Sequence, residues 1–89
     1  MEKLNNFIKS FESATNLHKQ GKINEALNIY LELQKEESNN SQLLFQIGNA
    51  YLQKGSVELS IDFYRKVNEI DKNHFNNLNN LGGALATIG

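Results

Sequence analysis

The sequence contains neither cysteine nor proline. Without cysteine, disulfide bonds and thiolate metal sites are excluded, which is compatible with a reducing compartment. Without proline, no residue removes a helical backbone donor, so long helices are permitted throughout the chain. A chain of 89 residues buries roughly 60–65% of the surface that its unfolded form exposes. Its stability must therefore come from regular, well-packed elements.

Charge of one sign and long apolar runs are also missing. Nine Lys and Arg residues are scattered among ten Asp and Glu residues, for a net charge of −1. Nucleic-acid-binding domains usually show a basic face, so we expect no nucleic-acid partner. No stretch approaches the roughly 18 apolar residues of a membrane span, and residues 1–11 lack the apolar run of a signal peptide. We therefore expect a soluble, cytoplasmic protein with no membrane partner.

What the sequence contains instead is an internal repeat with a period of 34 residues, the distance from Gly21 to Gly55 and from Gly55 to Gly89. The same shift brings Tyr30 onto Tyr64. A period of this length is typical of helical repeat proteins. It predicts one domain over residues 1–89, with a lead-in at 1–6, a first repeat at 7–40, a second at 41–74 and a partial third at 75–89.

Each full unit is predicted to fold as two antiparallel helices. In the second unit Leu44, Ile47 and Tyr51 are spaced by three and four residues, which places them on one face of a helix. Gly55 offers the left-handed position that ends a helix at low steric cost. Ser56 is then the predicted N-cap of the following helix.

Residues 41–74 resemble a complete tetratricopeptide repeat (TPR) in their period and in Ile47, Gly48, Tyr51, Gly55, Ser60 and Tyr64. Residues 7–40 are similar but looser, and keep Ala14, Leu17, Gly21, Ala26 and Tyr30. Residues 75–89 resemble the first helix of a third repeat through Leu81, Gly82 and Leu85. The proline that commonly ends the second helix in this family is absent, since Ser38 and Lys72 occupy its place.

This resemblance implies an all-α fold, a right-handed α-solenoid of antiparallel helical hairpins with about five helices. The positions that carry it are expected to serve packing. Gly48 and Gly82 would remove a side chain where two helices approach closely, and Tyr30 and Tyr64 would fill the space between layers. The resemblance also implies a scaffold that binds a protein or peptide partner in a concave groove formed by the first helix of each repeat.

The groove candidates carried over from the resemblance mix aromatic, amide and basic side chains: Phe11, Thr15, His18, Lys19, Gln42, Phe45, Asn49, Leu52, Gln53, Asn76 and Asn79. The amides can pair with a peptide backbone, although Asn and Gln are also ordinary surface residues. Phe11 and Phe45 are expected either to be partly exposed in the groove or to pack on each other between repeats.

Two binding modes known in the family are matched poorly. The places of the carboxylate clamp hold Phe11, Thr15, Gln46, Asn76 and Asn80, so its cations are missing. The places of an asparagine ladder, similar to repeats attached to glycosyltransferases, hold Glu12, Gln46 and Asn80, a partial match.

Catalytic and metal-ligating patterns are not found. His18 and His74 lie in different repeats, without a cysteine or a close carboxylate pair, and a surface histidine is the better interpretation of each. We predict no catalytic, cofactor-binding or metal-binding residue, and no enzymatic activity.

The last predicted helix has an apolar side formed by Phe75, Leu78, Leu81, Leu85 and Ile88. Full burial of each would contribute roughly 1.5–3 kcal/mol, so their exposure is unfavourable. Either the chain is part of a longer repeat protein, for example one fused to a transferase, or residues 75–89 form a homodimer with a second copy. A self-associating assembly module is therefore the alternative to a groove-binding adaptor.

Overall fold

The computed structural model describes residues 1–89 and consists of five α-helices: α1 (Glu2–Lys19), α2 (Ile23–Glu36), α3 (Ser41–Lys54), α4 (Val57–Ile70) and α5 (Phe75–Ile88). The predicted all-α class is confirmed. The first helix begins at Glu2, ahead of the predicted start of the first repeat at Phe7. None of the five helices combines the length and the apolar character needed to cross a lipid bilayer.

The two turns inside the hairpins have the same geometry. Gly21 and Gly55 adopt left-handed backbone conformations, with φ of 81° and 93°. In each turn the amide after the glycine donates to a carbonyl five residues back: Lys22 to Leu17 and Ser56 to Tyr51, both at 2.9 Å. This is the Schellman arrangement that satisfies the last carbonyls of a helix, and it repeats with the sequence period.

The helix N-termini differ from the prediction. Ser56 stands at the N-cap of α4, but its side chain makes no capping hydrogen bond. The side-chain caps lie instead between the hairpins. The Oδ1 atom of Asn40 accepts from the amide of Leu43 at 3.0 Å, and the Nδ1 atom of His74 accepts from the amide of Asn77 at 3.1 Å.

The helices pack as a solenoid, each mainly on its neighbours in sequence. The pairs α1–α2 and α3–α4 form hairpins, α2 packs on α3, and α5 packs on α4. Helices α1, α3 and α5 also contact in order, so they form one layer and α2 and α4 the other. The predicted α-solenoid of helical hairpins is confirmed.

The core lies between these two layers, and its largest fully buried side chains are Tyr30 and Tyr64. Ala14, Ala26 and Ser60 are also fully buried. The remaining core residues are aliphatic or aromatic, and α3 supplies more of them than any other helix: Leu43, Leu44, Phe45, Ile47 and Ala50.

The two helical glycines predicted to allow close packing have different surroundings. A Cβ atom at Gly48 would lie 2.6 Å from Cε1 of Tyr64, so α3 and α4 do approach closely there. At Gly82 a Cβ atom would meet nothing within 4 Å. The predicted close approach is therefore absent at Gly82, because no helix packs on that side of α5. Leu85, on the same helix, is 37% exposed.

Candidate binding groove

Helices α1 and α3 enclose a shallow groove of about 420 Å³. We call it the α1–α3 groove, and its lining residues are Thr15, His18, Lys19, Gln46, Asn49, Leu52 and Gln53. Leu52 is the single apolar side chain among them. All but Gln46 belong to the predicted groove residues, so the structure brings a subset of the candidates into one concave surface.

The other candidates lie outside this lining. Phe45 is 8% exposed, and its ring packs against Tyr64 and His74, with centroid distances of 6.1 and 4.6 Å. Phe11 is half-buried, and its ring lies 6.0 Å from that of Phe7. Each phenylalanine thus packs within its own repeat rather than on the other. Three further candidates are exposed beyond the groove lining: Gln42, Asn76 and Asn79.

A hydrogen-bond network fixes Asn49 in the groove wall. Its Oδ1 atom accepts from the hydroxyl of Tyr64 at 2.6 Å and from Nδ2 of Asn80 at 2.8 Å. Burial raises the pKa of Tyr64 to about 12, although the Asn80 side chain opposes the shift. The hydroxyl is therefore protonated at neutral pH and able to donate. This network joins α3, α4 and α5.

A second network crosses the groove from α1 to α3. Nε2 of His18 is hydrogen-bonded to Oε1 of Gln53, and Nδ1 of His18 lies 3.2 Å from the hydroxyl of Tyr30. An amide oxygen can only accept, so Nε2 of neutral His18 carries the hydrogen and Nδ1 accepts from Tyr30. Burial raises the pKa of Tyr30, partly offset by the Thr15 hydroxyl, and the phenol remains a donor.

The two networks occupy corresponding places in the two repeats but use different residues. Tyr30 and Tyr64 are one period apart and both direct their hydroxyl toward a side chain of the first helix. The partner is His18 in the first repeat and Asn49 in the second. Both tyrosines are predicted from the sequence only as packing residues, and their hydrogen-bonding role follows from the structure.

From the sequence, Gln46 and Asn80 occupy places of both the carboxylate clamp and the asparagine ladder, and neither is among the predicted groove residues. The structure puts Gln46 in the groove wall and Asn80 on the side chain of Asn49. Glu12, the third ladder place, is exposed and does not line the groove. The available sequence signal was the 34-residue spacing of these three polar residues along the first helices.

Most side chains that line the groove can form hydrogen bonds. Lys19 is its only permanently charged residue, and the one ion pair in the structure, Lys35 with Glu32, lies elsewhere. No group of three or more His, Asp or Glu side chains is arranged to hold a metal ion. Both ring nitrogens of His18 are engaged in hydrogen bonds.

Comparison with known proteins supports the repeat and the fold. Residues 41–74 match the family model of the tetratricopeptide repeat. The structure is similar to MamA 41-end from Desulfovibrio magneticus RS-1 over 92% of this chain, with a TM-score of 0.86 and 24% sequence identity. It is also similar to the MamA RS-1 ArsTM double mutant over 92% of this chain, with a TM-score of 0.84 and 26% identity. This chain covers 46% and 47% of those two chains, about half of their length. No curated protein shows significant sequence similarity to it.

Proposed function

We propose that this chain, which carries a tetratricopeptide repeat at residues 41–74 within a TPR-type solenoid, is a protein-interaction module that holds a peptide segment in the α1–α3 groove. The observation that carries the proposal is the concave, largely polar surface between α1 and α3. It supplies several amide side chains and one apolar contact, Leu52.

An extended segment suits this surface because its backbone donors and acceptors are unpaired. The amides of Gln46, Asn49 and Gln53 all belong to α3 and lie along one wall of the groove. The internal networks already hold Asn49 and Gln53 in place. Less side-chain freedom is therefore lost when a segment binds, which favours affinity.

Selection of a random-peptide display library on the immobilised chain would test this function. The enriched peptides would then be measured by fluorescence anisotropy against the double variant Gln46→Ala with Gln53→Ala. Both residues face the groove and neither is buried, so the variant should keep its helicity. We expect its affinity for the peptides to fall about tenfold or more, since several hydrogen bonds are lost.

A matched control is Asn28→Ala with Asn68→Ala, which removes amides from α2 and α4 in the opposite layer. This variant should bind the enriched peptides like the unchanged chain. Equal binding by the groove variant and the control would refute the groove as the binding surface.

A second candidate function is self-association through α5. Four apolar side chains of this helix are exposed: Phe75 by 77%, Leu78 by 40%, Leu85 by 37% and Ile88 by 53%. They are placed symmetrically about the middle of the helix, because 75 pairs with 88 and 78 with 85. A second copy of α5, packed antiparallel across a two-fold axis, would therefore match each apolar residue with an apolar partner.

Light scattering on a gel-filtration peak over a tenfold concentration range would test this candidate. Self-association predicts a dimer, and Leu85→Lys with Ile88→Lys should return the mass to the 10.1 kDa of one chain. Leu4→Lys with Ile8→Lys is the control, since these α1 residues are 57% and 44% exposed. A constant mass of one chain for the unchanged protein would eliminate this candidate.

A further inference from the structure

The hydrogen bonds inside the α1–α3 groove determine which atoms remain free to meet a ligand. Oδ1 of Asn49 already accepts two hydrogen bonds, from Tyr64 and Asn80. Its lone pairs are therefore occupied, and Nδ2 is the part of this amide still available. Asn49 consequently offers the groove donors rather than acceptors.

Gln53, on the neighbouring turn of α3, is similar but less fully engaged. Its Oε1 accepts one hydrogen bond, from Nε2 of His18, which leaves one lone pair of the oxygen and both hydrogens of the Nε2 amide group free. Two lining residues also offer acceptors. The hydroxyl hydrogen of Thr15 is donated to the carbonyl of Phe11 at 2.8 Å, so only its lone pairs remain, and the free amide of Gln46 presents both donors and an acceptor oxygen. The free polar atoms of the groove are therefore predominantly donors.

The charge of the groove likewise favours a ligand that supplies hydrogen-bond acceptors. Lys19 lies in the lining without a carboxylate partner. Lys54 is the only charged residue of α3, and α5 has none. Glu12 is two turns before Lys19 on α1, about 10 Å away by helical rise, and outside the lining. A negative side chain would thus be attracted at the Lys19 end of the groove.

We propose that the α1–α3 groove selects an acidic peptide, an extended segment whose Asp or Glu side chain binds beside Lys19 and whose carbonyl groups accept from Asn49 and Gln53. This inference rests on the groove-binding function proposed above and specifies the chemistry of the partner. A hydrogen bond to a charged group is stronger than one between neutral groups, so the carboxylate provides the selectivity.

Three end-blocked peptides of alanine and serine test the inference, with two central residues that are both Asp, both Asn or both Lys. Binding is followed by nuclear magnetic resonance through the backbone and side-chain amide signals of the groove. We expect the Asp peptide to shift the side-chain amide signals of Asn49 and Gln53. Its affinity should be about fivefold higher than that of the Asn peptide, and its advantage over the Lys peptide should be larger than about fivefold.

The variant Lys19→Gln should remove the preference for Asp over Asn, whereas Lys9→Gln, an exposed lysine of the same helix outside the groove, should leave it intact. If the Asp and Asn peptides shift the same groove signals and bind with equal affinity, the acidic preference is overturned. Groove binding itself would then still stand. A preference that survives Lys19→Gln would also overturn it. Failure of all three peptides to shift any groove signal would contradict both proposals.

Discussion

Asn77 is a fully buried amide whose hydrogen bonds are only half satisfied. Its Nδ2 donates to the carbonyl of Tyr64 at 2.9 Å, but its Oδ1 has no partner. The residue one period earlier is Leu43, which is also fully buried. The solenoid thus accepts an aliphatic side chain at this position, and the amide of Asn77 has an energetic cost.

We expect Asn77→Leu to raise the free energy of unfolding by about 1 kcal/mol, since a buried unpaired polar atom costs roughly 1–3 kcal/mol. For a chain of this size the gain corresponds to about 4–8 °C in Tm. Thermal unfolding followed by circular dichroism measures it. Asn76→Leu, at an exposed neighbouring position, should give no comparable gain. A lower Tm for Asn77→Leu would show that the amide contributes more than its unpaired oxygen costs.

The hydroxyl of Tyr64 makes stability depend on pH in the alkaline range. Burial raises the pKa of Tyr64 from 10.0 to about 12, so the native state holds this proton more tightly than the unfolded chain does. The resulting stability is complete below pH 10 and is lost as the pH rises toward 12. Tyr64→Phe should abolish the highest tyrosinate step in an absorbance titration. An unchanged titration would assign that step to another tyrosine.

The polar network shows which residue-level features a sequence can predict. The burial of Tyr30 and Tyr64 is consistent with their place in the repeat. The hydrogen bonds that extend the two networks to a further helix were not predictable in the same way, because they join His18 to Gln53 and Asn49 to Asn80 across separations of 35 and 31 residues. These separations are close to one period without equalling it. They depend on which turns of adjacent helices face each other, which only packing determines.

At the scale of helices, a comparison of Gly48 with Gly82 distinguishes the effect of a neighbouring helix from the intrinsic cost of placing glycine in a helix. Both occupy the same place in the repeat, but only Gly48 lies against an aromatic ring. We expect Gly48→Ala to destabilise the chain by about 1–3 kcal/mol, since the new methyl group overlaps the buried Tyr64 ring. Gly82→Ala should stabilise it by about 0.5–1 kcal/mol, because alanine favours the helix and meets no neighbour.

Urea denaturation of the two variants checks this pair. Equal destabilisation by both would mean that Gly82 is also covered by another element in solution, as a second copy of α5 would do. Repeating the measurement at two protein concentrations distinguishes this case, because stability that depends on association rises with concentration.

The helices were predictable because several local signals agree for each of them. The apolar spacing of Leu44, Ile47 and Tyr51 coincides with the left-handed glycine at position 55, and the same plan recurs one period away. The caps were less predictable. A serine after the glycine is an ordinary capping residue, yet Asn40 and His74 supply the side-chain caps, where the linkers between hairpins bring them over the next helix.

At the scale of the whole molecule, the fold follows from stacking of neighbours, and its stability should decrease from the centre to the ends. Helix α3 buries six residues and contacts helices on both sides, whereas α1 buries only Ala14, and α5 buries only Asn77 and Ala84. In a solenoid, each unit is stabilised by its own structure and by its interfaces with neighbours. The terminal helices have fewer such interfaces.

Native-state hydrogen exchange should therefore show the slowest exchange in α3 and α4 and faster exchange in α1 and α5, because local opening needs less energy where fewer apolar groups are buried. The measurement is made at a concentration where the mass is that of one chain. If α5 alone becomes protected as the concentration rises, the exposed apolar row of Phe75, Leu78, Leu85 and Ile88 is covered by a second copy. Uniform protection across all five helices at low concentration would instead mean that the solenoid opens as one cooperative unit and contradict the gradient.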